Sequence, residues 1–186
     1  MRFLVRVESK EVARGALLAT MKSLVASVGI EARNPKWTSY GALELDIFSP
    51  TRADFELLLA AVGPIAAVEF ITDLNKPPAH ITDEEATSRA RELFNAERYW
   101  ECHEILEGLW RQKLGEEKSL LQGIILVCAA FVHHQKGEEG VALSVLERGS
   151  RQLAHSGRLY GGIDIGILVT KVQDILRARR MTEFKV

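Results

Sequence analysis

Asp73-Leu74-Asn75-Lys76-Pro77-Pro78 is where the pattern of this chain changes. Proline fixes φ and lacks a backbone N–H, so two in succession neither continue a strand nor enter a helix interior. Before this stretch, period-two runs alternate with helical spacing; after it, only helical spacing is found. The change predicts a linker over 75–80, between a first domain at 1–74 and a helical bundle at 81–186.

In the first domain, residues 2–7 alternate, with Phe3, Val5 and Val7 on one side and Arg2, Leu4 and Arg6 on the other. Ser9 is the expected N-cap of a helix over 10–28, which Gly29 ends. Residues 30–37 and 42–48 read as a strand pair turning around Ser39-Tyr40-Gly41. Thr51 or Asp54 opens a second helix that Gly63-Pro64 closes, and 65–72 is a last strand. The order βαββαβ is the ferredoxin-like arrangement, so the whole chain is expected to be α+β.

Beyond the linker, Thr82-Asp83-Glu84-Glu85 is a capping-box signature for a helix ending near Phe94-Asn95. Further helices are expected over 97–113, 117–136, 138–155 and 163–180, about five in all, followed by a short basic, solvated end. The third is apolar on nearly every side and must lie at the bundle centre.

Composition narrows the function. The 186 residues carry 47% hydrophobic and 26% charged residues with a net charge of -1, the profile of a soluble globular protein without a general cationic field. The longest apolar run, 120–132, falls short of the roughly 20 residues that span a bilayer. Charge at Arg2 and Arg6 breaks any leader-like run, so neither membrane nor export is expected, and the cytoplasm is the expected location. Cys102 and Cys128 read as buried free thiols in a reducing compartment. Nucleic acid is not an expected partner: the outward sheet row sets Arg2, Leu4 and Arg6 beside Glu44 and Asp46, with Glu69 on the flank. Opposite charges so arranged pair with one another, either as a solvated face or as a packing surface for the helical half.

Chemistry is concentrated in Tyr-Trp-Glu-Cys-His-Glu-Ile-Leu-Glu-Gly-Leu-Trp, Tyr99–Trp110. His103 and Glu107 are four apart and share a helix face, with about 6 Å between β-carbons. Titratable groups among Trp, Leu and Tyr must be paired or functional. His103-Glu104-Ile105-Leu106-Glu107 resembles half of a zinc-hydrolase helix, with a glutamate in place of the second histidine. Gln122 and His133, eleven apart and so about three turns, share a face of the central helix and are candidates to meet this group. A plain hydrogen-bonded His–carboxylate pair that docks helices explains the same residues. No metal ion is assigned, and no cofactor is named.

Leu93-Phe94-Asn95, Tyr99-Trp100-Glu101, His103-Glu104, Leu106-Glu107, Trp110-Arg111 and Leu121-Gln122-Gly123-Ile124-Ile125 together resemble domain-of-unknown-function family 309, over about residues 80–159. The resemblance implies a compact all-helical domain and marks His103, Glu104, Glu107, Trp110 and Arg111; it supplies no reaction. Glu97 departs from the glycine common in the family before the aromatic, which implies an altered turn. The resulting expectation is a two-domain protein whose helical half binds a small molecule or a protein segment at His103, Glu104, Glu107, Trp110, Arg111, Gln122 and His133. The corner from Phe94-Asn95 to Tyr99 resembles those of peptide-binding tetratricopeptide units. The alternative is a hydrolase working through a metal or through His–Glu acid–base chemistry. Homo-oligomerisation is left open.

Overall fold

A computed structural model describes residues 1–9, 13–76, 81–153 and 159–186. It divides into two compact units, Met1–Ala79 and His80–Val186. The first unit contains β1 (Arg2–Ser9), α1 (Arg14–Ser27), β2 (Glu31–Trp37), β3 (Leu43–Phe48), α2 (Arg52–Val62) and β4 (Ala66–Asp73). Its sheet has four antiparallel strands in the order β2-β3-β1-β4, so the βαββαβ reading holds. The inner face, Phe3, Val5, Val7, Leu43, Leu45 and Ile47, packs on Leu17, Met21 and Val25 of α1 and Phe55, Leu58 and Val62 of α2. Phe3 stacks on Phe55 with ring centroids 3.8 Å apart.

Local chemistry explains most boundaries. Thr51 and Asp54 exchange side-chain and backbone bonds in a full capping box at the start of α2. The expected cap at Ser9 is not found. Ser9 is the last residue of β1 and pairs with Ala66, because the extended run continues through Glu8. α1 instead starts after Ala13, whose side chain makes no cap; Lys10, Glu11 and Val12 lie outside the described residues. In β2 the pairing jumps from Arg33 opposite Asp46 to Lys36 opposite Glu44, one extra residue on β2. Asn34 takes a φ of +51° at this bulge, and Pro35 beside it has no N–H to donate, which an edge strand tolerates.

The bulge brings Lys36 onto the outward sheet row, and the centre of that row is not solvated. Arg6, Lys36, Glu44 and Asp46 are each almost fully buried (1%, 3%, 2% and 4% exposed). Arg6 donates to Glu44 Oε2 at 2.9 Å, and Lys36 pairs with the other oxygen of the same carboxylate. Arg2 and Asn34 both donate to Asp46, at 2.9 and 3.0 Å. Tyr40 accepts from Arg6 at 3.1 Å and donates to Glu69 at 2.9 Å, so the turn tyrosine serves the same charge row. The row is therefore self-paired as read from the sequence, and its centre is also buried.

The second unit contains α3 (Asp83–Asn95), α4 (Tyr99–Trp110), α5 (Gly115–Gln135), α6 (Glu139–Leu153), β5 (Leu159–Tyr160), β6 (Ile163–Asp164) and α7 (Ile165–Ala178). Five helices among the described residues match the expected bundle. Thr82 and Glu85 form the second capping box, and the Thr82 backbone N–H holds the Glu85 carboxyl below its ordinary range. The corner before α4 puts Glu97 at a φ of +55°, a region that favours glycine. The chain thus keeps at Glu97 a backbone shape suited to the glycine that this position lacks.

α5 is central, burying Leu121, Ile124, Ile125, Val127, Cys128, Ala130 and Phe131. Gly123 reads in sequence as an interruption, but it is the close approach to α6: a β-carbon there would lie 2.8 Å from the Leu153 side chain. Cys102 and Cys128 are buried free thiols with sulfurs 3.3 Å apart. The contact with Cys128 and then burial push the Cys102 thiol well up.

Two features depart from the sequence reading. Gly161 and Gly162, with φ of +52° and +83°, turn a short hairpin between β5 and β6 where the spacing predicts a helix from Ile163. α7 starts two residues later, capped by Asp164, which accepts from the Ile167 N–H at 2.9 Å. The chain end is docked. Phe184 packs its ring 5.3 and 5.6 Å from those of Phe94 and Phe131, and Asn95 bonds both backbone groups of Val186. Arg177, Arg179, Arg180 and Lys185 remain exposed, as expected of a basic end. The expected closure of α6 at Ser156-Gly157 lies outside the described residues.

Candidate functional site

α4 decides which polar groups meet. Tyr99, Cys102, Leu106 and Leu109 form its buried stripe at helical spacing. His103, Glu107 and Trp110 each follow a stripe residue by one position and so run along its edge, with Glu104 and Arg111 farther out. Exposure follows this order: the side chains of His103, Glu107, Glu104 and Arg111 are 27%, 34%, 49% and 68% exposed.

One ligating atom each of His103, Glu104 and Glu107 lies within 4.8 Å of the others. His103 Nδ1 is 3.3 Å from Glu104 Oε1. The two form no hydrogen bond, and Nδ1 is a buried atom with no hydrogen-bond partner. Arg111 reaches Glu107 at 3.4 Å, the i,i+4 pair that the helix brings together. Trp110 is half-buried against the core, with the Lys118 ammonium 4.4 Å from its ring centroid.

His133 does not join this group. Gln122 is half-buried on α5, and no hydrogen bond among the described residues links it to the triad. His133 bonds through Nδ1 to Glu138, which holds the Glu138 carboxyl below its ordinary range. Sequence spacing sets both on a face of α5, but the start of α6 supplies a closer carboxylate to His133.

A second polar cluster escapes the sequence reading. His134 lies between Glu139, at 2.7 Å from Nδ1, and Glu183, at 3.1 Å from Nε2. Glu139 also accepts from the Met181 backbone N–H at 2.7 Å. The cluster fastens the chain end over the bundle, and its signal in the sequence is the recurrence of Met181, Phe184 and Val186 after the last helix. Burial pushes the Glu139 carboxyl up, but the Met181 N–H and His134 outweigh it, leaving the group below its ordinary range. A depressed carboxylate stabilises the fold above its unfolded pKa, and that contribution disappears as pH falls through the folded value. Acidification is therefore expected to loosen residues 181–186 before the bundle melts. Amide NMR of Met181 should report this as a low-pH titration; a Met181 signal unchanged until global unfolding would contradict it.

Tyr160 donates to Glu117 at 2.8 Å, and Lys113 bridges Glu117 and Asp83. Burial, then Glu117, pushes the Tyr160 phenol up. This network joins α3, α5 and the hairpin at the surface and is a structural tie.

Among the described residues no helix is long and apolar enough to cross a membrane. Among solved structures, the chain is similar to a conserved hypothetical protein from Thermus thermophilus, at 32% identity, covering 53% of this chain and 99% of that one with a TM-score of 0.44. No curated protein matches it. Residues 87–145, which include His103, Glu104, Glu107, Trp110, Arg111, Gln122 and His133, match the model of a domain of unknown function, DUF309.

Proposed function

We propose that the helical unit is a binding module for a small molecule, with His103, Glu104 and Glu107 as its site and Trp110 and Arg111 at the border. The observation that carries this reading is the convergence of three ligating atoms within 4.8 Å on one turn of α4, at the edge of its buried stripe. The turn is held from beneath by Cys102, Leu106 and Leu109, so the site is built on a rigid element. A hydrolase is the weaker reading on chemical grounds. A catalytic metal needs about three protein ligands besides the base that activates water. The triad offers three groups in total, and among the described residues no fourth joins them. If Glu104 is the base, only two ligands remain. The test is ligand retention by the full chain in native mass spectra: the wild type should carry a bound mass that His103→Ala loses.

A further inference from the structure

Resting on that binding site, we infer that its occupant is a divalent cation of the borderline class that includes Zn2+ and Co2+, held by the His103 imidazole and the Glu104 and Glu107 carboxylates. One nitrogen and two anionic oxygens form a donor set that suits these ions. The charge fits as well. Two carboxylates within 4.8 Å of each other carry a mutual repulsion, with the exposed Arg111 3.4 Å from Glu107. A cation between them relieves it.

The spacing is close to what coordination requires. Ligands about 2.0–2.2 Å from an ion lie roughly 3.0–3.6 Å from one another. His103 and Glu104 already stand 3.3 Å apart. The full triad spans up to 4.8 Å, and turning a partly exposed carboxylate closes the difference without moving α4.

An independent observation points to the same occupant. His103 Nδ1 is shielded from solvent without a hydrogen-bond partner, although Glu104 Oε1 lies nearby. Buried polar nitrogens are almost always satisfied, and an orphan in a native fold calls for a missing water or ion. A cation between the ring and the carboxylates, ligated by Nδ1, supplies that partner. The half-exposed rim then leaves further coordination positions to water, unlike the closed shell of a structural zinc.

The test is titration of tag-free, chelator-stripped full chain with Co2+, followed by its visible absorption, and then displacement by Zn2+. The expected result is a saturable ligand-field band that Zn2+ removes. His103→Ala and Glu107→Gln should each weaken Co2+ binding at least about tenfold, since even the outer-shell partners of a metal contribute that much. Both variants should keep the wild-type far-UV circular dichroism, and His133→Ala should bind as the wild type does. Absence of Co2+ and Zn2+ binding, or equal binding by the His103 and Glu107 variants, overturns the cation. In that event, an organic adduct on the wild type that His103→Ala loses would still support the binding site itself.

Discussion

Glu44→Ala should unfold the first unit or bring it to the edge of unfolding. Glu44 is 2% exposed and accepts from Arg6 on one oxygen while Lys36 pairs with the other, so its removal leaves two buried cations facing a cavity. Breaking a buried ion pair from one side costs about 3–5 kcal/mol. A unit of this size has roughly 4–12 kcal/mol of stability in all. Chemical denaturation should show the sheet unit melting early while the helical signal persists. The comparison that isolates charge from packing is the triple change Arg6→Met, Lys36→Met, Glu44→Leu. Apolar replacement of a whole buried ionic group is often neutral or stabilising, so the triple variant should recover much of what Glu44→Ala loses. A Glu44→Ala protein that denatures with the wild type would contradict this account of the row.

Phe131→Ala should have an effect of similar size on the other unit. Its ring is fully buried, 4.7 Å from Tyr99, 5.7 Å from Phe94 and 5.6 Å from Phe184. Truncating such a ring costs about 3–5 kcal/mol, which includes the cavity it leaves. The melting temperature of the helical unit should fall by on the order of 20 °C. Because Phe184 rests on the same ring, the variant should also free residues 181–186 to proteolysis. Phe184→Ala, at a half-buried position, should cost less. A Phe131→Ala variant within about 1 kcal/mol of the wild type would mean that this aromatic cluster is not the centre of the bundle.

What is legible in the sequence is local. The capping boxes at Thr51–Asp54 and Thr82–Glu85 need only four residues each, and the period-two face of β1 needs six. The His103–Glu104–Glu107 grouping is legible for the same reason, since one helical turn fixes it. Features that depend on distant partners are not. Arg6 and Glu44 alternate in sequence as they would on a wet sheet, and nothing local says that they are buried. β5 and β6 are two residues each, too short for any period, so Gly161-Gly162 reads as the approach to a helix. Met181, Phe184 and Val186 follow no regular spacing, and only the pocket formed by Phe94 and Phe131 gives them a place. A helix wheel for α5 contains no information about Glu138 at the next turn, so it sends His133 to the wrong neighbours.

Native mass spectrometry of the full chain, beside its His103→Ala and His133→Ala variants, tests the central claim most directly. The account predicts a bound mass on the wild type and on His133→Ala that is absent from His103→Ala, with all three proteins folded. A bound mass that survives His103→Ala, or that disappears with His133 instead, would contradict it.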